Sequence, residues 1–376
     1  MSMKTIQMVD LTTQYERIRE DMNRAALETL RSGKYINGLP VQQFAEELAA
    51  FTGARYIIPC ANGTDALQIA LMSLDLQPGD EVIVPAFTYI AGAEVIALLQ
   101  LKPVLIDVDP HTFNLDVNQI EAAISPKTKA IIPVHLFGQT ADMEPVLQIA
   151  RQYGLFVIED NAQSIGSVYT FSDGTKKQAG TIGNIGTLSF FPTKNLGAYG
   201  DGGAMMTDNE QLAKRLKMIA SHGQSVKYQH EIVGCNSRLD TLQAAILRVK
   251  LPYLQEYIEA RRATAARYDT GLETLDWLER SACHPASTHV YNQYTVKVNP
   301  LQRNDLQSYL KEKGVPTMIY YPMPLHRQPA FEGRVRLGSD LKITEQLCDS
   351  VLSLPMHTEL EDSQIEYIIE QIIRYE

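Results

Sequence analysis

The sequence predicts an α/β protein built around a largely parallel sheet, and a repeated spacing of apolar runs carries that reading. Four short β-branched runs, Val82-Ile83-Val84, Val104-Leu105-Ile106, Ala130-Ile131-Ile132 and Phe156-Val157-Ile158, recur 22 to 26 residues apart with helical patterns between them. That spacing fits a strand, a helix and two turns, the rhythm of βα units. Helix signals agree with it. Leu67, Leu71 and Leu74 share a face with Ala70, and Thr207 with Glu210 matches a capping box ahead of Leu212, Leu216 and Ile219, with Gly223 as the stop.

An earlier strand is expected at Tyr56-Ile57-Ile58. After about residue 250 the texture changes. A polar helical stretch from Glu256 to Leu275 precedes a strand-like Tyr294-Thr295-Val296-Lys297-Val298, then a helix from Asp305 to Lys313 stopped by Gly314. Ile365, Ile368, Ile369 and Ile372 mark a terminal helix by their i, i+3, i+4, i+7 spacing. The expected organisation is a large domain over residues 1–250 and a smaller α+β domain over 251–376, with the N-terminal segment packing on the smaller one. No repeat, low-complexity tract or Gly/Ser linker separates them, so the two are expected to be tightly joined.

The chain has 376 residues, 45% of them apolar, enough for a sizeable core. Its 34 Lys and Arg against 44 Asp and Glu leave a net charge of −10, the wrong sign for condensing onto nucleic acid or anionic lipid. Any phosphate recognition must be local and geometric. Cys60, Cys235, Cys283 and Cys348 stand far apart without a CxxC pair, so neither a metal site nor a disulfide framework is indicated. The N-terminus lacks an apolar signal core and no segment offers about 18 uncharged apolar residues. A soluble cytoplasmic protein is expected.

Three segments carry candidate chemistry. Asn62-Gly63-Thr64-Asp65 opens the helix of Leu67, where free backbone N–H groups at the positive end of a helix dipole suit a phosphate. Taken alone, this turn reads more readily as an Asn-Gly turn with an N-cap. In Phe156-Val157-Ile158-Glu159-Asp160-Asn161-Ala162-Gln163, two carboxylates end a central strand, the edge where ligands collect in open α/β sheets. Asp160 there either balances a cationic ligand atom, such as a protonated pyridine nitrogen, or caps the next helix. In Thr187-Leu188-Ser189-Phe190-Phe191-Pro192-Thr193-Lys194-Asn195-Leu196-Gly197, a strand-like run ends at Pro192 and Lys194 follows, ahead of Gly197, Gly200, Gly202 and Gly203. A lysine sheltered there has a lowered pKa and acts as an amine nucleophile toward a carbonyl, unless it is an ordinary surface charge. A phosphate turn, a strand-end acid, and a lysine 34 residues beyond that acid are the parts of a pyridoxal phosphate site. Phe87 or Tyr89 is available to cover a ring face, and either is equally suited to the core.

With those segments in view, the sequence resembles the DegT/DnrJ/EryC1/StrS sugar-nucleotide aminotransferases, which are fold type I pyridoxal phosphate enzymes. The resemblance runs from Tyr35-Ile36-Asn37-Gly38 to Tyr321-Pro322-Met323-Pro324-Leu325-His326. It passes through the three segments above, Pro85-Ala86-Phe87-Thr88-Tyr89, and Gly234-Cys235-Asn236-Ser237-Arg238-Leu239-Asp240. It implies a large domain with a mixed, mostly parallel sheet and a smaller α+β C-terminal domain. It further implies that Lys194 forms the Schiff base, Asp160 partners the pyridinium, and Gln163 binds the ring hydroxyl oxygen. Gly63, Thr64 and Ser189 would bind the phosphate, and Tyr89 would stack on the ring. Asn236 and Arg238 would reach across a homodimer interface, to the neighbour's cofactor phosphate and substrate respectively. Arg238, Tyr321 and His326 are the implied substrate-binding residues.

The implied activity is transfer of an amino group from L-glutamate to a keto sugar carried on a nucleotide. The stretch from Ser221 to Ala245 resembles most the branch that aminates UDP-2-acetamido-2-deoxy-3-keto-glucuronate, for O-antigen or capsule synthesis. A dTDP- or UDP-linked 3-keto or 4-keto-6-deoxyhexose is the alternative. One departure is the segment Tyr169 to Gly180, longer than the family's short hairpin and expected to be a surface hairpin with an Asp-Gly turn. A nicotinamide oxidoreductase is disfavoured because no GxGxxG follows a predicted strand. A DNA-binding regulator is disfavoured by the charge.

Overall fold

All four β-branched runs are strands of one eight-stranded sheet in the computed structural model, which describes residues 4–375. Across the sheet the strands are Tyr56–Cys60, Gly203–Thr207, Ile185–Ser189, Phe156–Asp160, Thr128–Ile131, Glu81–Pro85, Lys102–Ile106 and Arg336–Leu337. Only Gly203–Thr207 runs against the rest. Val82 and Val84 point into one apolar cluster and Ile83 into another, so helices cover both faces and the strand reads as a continuous apolar run. Helices Gly63–Met72, Ala91–Leu98 and Glu210–Ile219 pack on the first face, and Met143–Tyr153 on the second. Burial on both sides makes the sheet a rigid platform whose strand ends hold side chains in place.

A second, three-stranded antiparallel sheet has Tyr294–Val298 between Leu278–Arg280 and Val351–Leu354. Helices Leu254–Gly271, Pro300–Glu312 and Asp362–Ile373 supply its core with Tyr268, Leu306, Ile365, Ile368 and Ile372, and Ile6 from the N-terminal segment joins them. Several boundaries differ from the sequence reading. Asn209, not Thr207, caps the helix Glu210–Ile219, because its side chain accepts from the N–H groups of Gln211 and Leu212. The helix expected from Asp305 starts at Pro300, with Asn299 capping Leu301 N at 3.0 Å. The long polar helix ends at Gly271, where Leu272 leaves helical dihedrals. The strand expected to run to Pro192 ends at Ser189.

The edge of the large sheet is tied to the segment that leads into the second one. Arg336 donates to both carboxylate oxygens of Glu81, at 2.9 and 2.8 Å, while its strand pairs with Val104 and Leu105. Helix Lys342–Ser350 begins after Leu341, which has no capping oxygen, and Asp107 takes over that task from the end of the Lys102–Ile106 strand. The buried Asp107 carboxylate accepts from Ile343 N at 2.8 Å, and from Thr344 N and Thr344 Oγ1 at 2.7 Å each. Asp107→Ala would leave those donors buried without partners, and is expected to lower unfolding free energy by roughly 3 kcal/mol or more in urea titrations. A change below about 1 kcal/mol would mean water replaces the carboxylate there.

Candidate active site

The C-terminal edge of the sheet is where the predicted residues meet. Asp160 and Ser189 end neighbouring parallel strands, and Gly203 pairs with both Ser189 and Cys60 at the same edge. A Cβ on Gly203 would lie 2.4 Å from the carbonyl carbon of Asn62, and one on Gly63 would lie 2.7 Å from Ser189 Cβ. Two glycines therefore let the start of helix Gly63–Met72 drop against Ser189. Asn62 caps this helix, its Oδ1 accepting from Asp65 N at 2.8 Å. The capping reading thus holds, and the N–H groups of Gly63 and Thr64 stay free of protein acceptors among the described residues, beside the Ser189 hydroxyl.

Asp160 is 9% exposed and does not cap a helix; its Oδ1 accepts from Ala162 N at 3.1 Å. Burial pushes its carboxyl above the usual range, against the opposing pull of the Ala162 N–H, Lys194 and His135. Lys194 lies in a tight turn in which its N–H bonds Phe191 O at 2.9 Å. Desolvation lowers its amine to about 8, with Asp160 acting in the other direction. Its side chain is partly buried, unlike that of an ordinary surface charge.

Gln163 accepts from Phe137 N at 2.7 Å and its Nε2 donates to Tyr321 Oη at 3.3 Å. This brings Tyr321, from the segment between helices Pro300–Glu312 and Lys342–Ser350, to Gln163 just past the Phe156–Asp160 strand. Burial raises its hydroxyl well above the ordinary tyrosine range. Phe87 is core, 1% exposed, with its ring 6.0 Å from that of Tyr321. Tyr89 is 59% exposed and 6.3 Å from Tyr321, leaving a ring face open. Leu325 N bonds Ala86 O at 3.3 Å and seats the segment against the Ala86 corner. His326 Nε2 lies 3.0 Å from Glu345 Oε1, which also accepts from Arg327.

Asn236 is exposed, and Arg238 is only partly covered. Between them Ser237 is buried and accepts from Ala61 N at 3.0 Å, which ties this loop to the end of the Tyr56–Cys60 strand. Neither flanking side chain has a hydrogen-bond or ion-pair partner among the described residues. The segment Tyr169 to Gly180 is a hairpin, Val168–Thr170 paired with Lys176–Gln178 around Asp173-Gly174.

The sequence reading passed over the layer behind Asp160. Fully buried Glu159 accepts from His135 Nε2 at 2.8 Å, Gly180 N at 2.7 Å, and Ile182 N and Gly183 N at 2.6 Å each. Ala141 N points at His135 Nδ1 from 3.1 Å, so the ring carries its proton on Nε2 and donates to Glu159. His135 N in turn bonds Asp160 O at 3.0 Å. The available signal was a single histidine just past a buried strand, and nothing local linked it to Glu159.

Residues 16–373 match the DegT/DnrJ/EryC1/StrS aminotransferase family. The chain belongs to that family. Among its relatives, the UDP-2-acetamido-2-deoxy-3-oxo-D-glucuronate aminotransferase of Pseudomonas aeruginosa is 46% identical over 96% of this chain and 98% of its own. The pleiotropic regulatory protein of Geobacillus stearothermophilus is 45% identical over 98% of each chain. The crystal structure of ntda from Bacillus subtilis with bound cofactor pmp superposes with a TM-score of 0.89 at 34% identity, over 99% of this chain and 85% of that one. This aminotransferase is a pyridoxal phosphate enzyme of fold type I that acts on sugar nucleotides.

Proposed function

We propose that this aminotransferase moves the amino group of L-glutamate to the 3-keto group of UDP-2-acetamido-2-deoxy-3-keto-glucuronate, supplying an amino sugar for cell-surface polysaccharide. The observation that carries the sugar assignment is Arg238, a guanidinium without a protein partner among the described residues, on a loop tied to the helix-opening turn. Guanidinium pairs bidentately with carboxylate, which suits a uronate and the carboxylates of glutamate alike. The 46% identical relative named for that keto sugar supports the same reading. A dTDP- or UDP-linked 3-keto or 4-keto-6-deoxyhexose is the second reading; Met323, exposed two residues beyond Tyr321, would suit its methyl group.

The residues present fit pyridoxal phosphate, because the glycine cradle at Gly63, the desolvated Lys194 amine and the Asp160 carboxylate lie at one sheet edge. When bound, the cofactor supplies an electron sink for the substrate's α-carbon. The N–H groups of Gly63 and Thr64 and the Ser189 hydroxyl would bind its phosphate. Asp160 would hold a proton on the pyridine nitrogen, Gln163 would orient the ring through its oxygen substituent, and Tyr89 would cover the exposed face. Lys194 Nζ would be the group that holds the cofactor covalently, and its free amine would carry the proton between the amino donor's α-carbon and the cofactor carbon on the other side of the shared nitrogen.

The same reading makes the working unit a homodimer, in which Asn236 and Arg238 complete the neighbour's site at its cofactor phosphate and substrate. Tyr321 and His326 approach the sugar from the smaller domain, over residues 251–376, which packs on a large domain over 1–250. The four cysteines are free, which suits the cytoplasm. No helix of the described residues is long and apolar enough to cross a membrane.

Single-turnover amination of a panel of keto sugars by the amine-loaded enzyme tests the assignment. The uronate is expected to react fastest. Arg238→Lys is expected to slow it by about 10- to 100-fold, and neutral sugars by less than about 3-fold. Equal rates for neutral and uronate sugars in both proteins would eliminate the carboxylate reading.

A further inference from the structure

Lys250 ends the helix Thr241–Lys250 and is 1% exposed. Among the described residues its ammonium has a single hydrogen-bond partner, the carbonyl oxygen of Gly197 at 2.7 Å, and it lies 5.2 Å from the centre of the Tyr199 ring. No carboxylate pairs with it among the described residues. Burial, and then the like charge of Arg261, lower its proton affinity to about 8. A buried ammonium without a counter-charge is costly, and leucine or methionine would fill the same space at less cost. What lysine adds is a donor aimed at Gly197.

Gly197 closes the turn that presents Lys194. A Cβ at Gly197 would lie 2.2 Å from Pro192 O, and Ala198 N bonds Phe190 O at 2.8 Å just beyond it. One residue further, the same helix holds both backbone groups of Tyr199: Gln243 Oε1 accepts from Tyr199 N at 2.9 Å and Gln243 Nε2 donates to Tyr199 O at 3.2 Å. Gln243 and Lys250 are seven residues apart, so they share one face of the helix. That face grips the backbone from Gly197 to Tyr199. We infer that Lys250 and Gln243 are positioning residues, which clamp this backbone to the helix and thereby fix the direction in which the turn offers the Lys194 amine.

The inference rests on Lys194 being the reactive amine, and hydrogen exchange separates the two. In the full-length, cofactor-loaded enzyme, Lys250→Met is expected to speed exchange of the Lys194 and Ala198 amides by at least about 10-fold. The rate constant of the glutamate half-reaction should fall by about 10-fold, with KM for glutamate nearly unchanged. Lys250→Gln, one atom shorter but still a donor, should recover most of both losses. Unchanged exchange at those two amides would overturn the inference. So would equal acceleration in Tyr294–Val298 together with a lower Tm, because Lys250 would then be a general core residue. If Lys250→Met does not fold, Gln243→Leu is read at the same two amides by the same criteria. A Lys194→Ala enzyme that still binds the cofactor covalently at that turn would instead overturn the role of Lys194 itself.

Discussion

Lys194→Ala should lower kcat/KM for L-glutamate by at least about 10⁴-fold, because in the proposed mechanism one amine would serve both as the cofactor's covalent anchor and as the proton carrier. The size of the loss follows from the absence of a substitute. Lys250 has a similar proton affinity, but it is buried behind the turn and committed to Gly197 O. Arg238 cannot give up its proton at any ordinary pH. Borohydride reduction of wild-type protein with pyridoxal phosphate, followed by peptide mapping, should place the fixed cofactor on Lys194, and the alanine variant should carry none. A small primary amine in solution should restore part of the proton transfer, since the site around residue 194 would remain. A reducible adduct on the same peptide of the variant would overturn the assignment.

The sheet was legible because its strands are buried on both faces, which leaves apolar runs such as Val82-Ile83-Val84 with no alternation to confuse. The candidate edge was legible for a related reason. Asp160 ends a buried strand and Lys194 follows another ahead of Gly197, and polar residues in such places need a reason to be there. What escaped was long-range pairing. Nothing near Leu341 in sequence says that Asp107 will cap its helix, and nothing near Lys250 says that its stem will end on Gly197 O. The helix boundaries failed where two capping residues competed: Thr207 offers a plausible pattern, but Asn209 sits one residue before the helix and reaches two N–H groups. The Asn62 turn shows the opposite case, in which the observed cap leaves the phosphate reading of the same motif open. The side chain caps the helix while the following N–H groups remain available.

Asp160→Asn separates charge from shape, since the amide fills the same space and keeps an acceptor for Ala162 N. Turnover is expected to fall by about 10²- to 10³-fold, the usual range for removing one preorganised charge or donor from a reacting centre. The sign of a second effect is opposite. Asp160 raises the Lys194 proton affinity against desolvation, which brings it down to about 8. Without the carboxylate, desolvation acts alone and the amine should titrate below 8, so more of it is free base at neutral pH. For wild type about a quarter is free base at pH 7.5, against roughly a thousandth for an unperturbed lysine. The rate at which cofactor-free protein captures pyridoxal phosphate should therefore rise through a midpoint near pH 8 in wild type and at lower pH in Asp160→Asn. A variant that captures cofactor at lower pH yet turns over more slowly places the loss at the pyridine nitrogen. General damage to the site would slow capture and turnover together and leave the midpoint where it was, and that result would remove Asp160 from the proposed role.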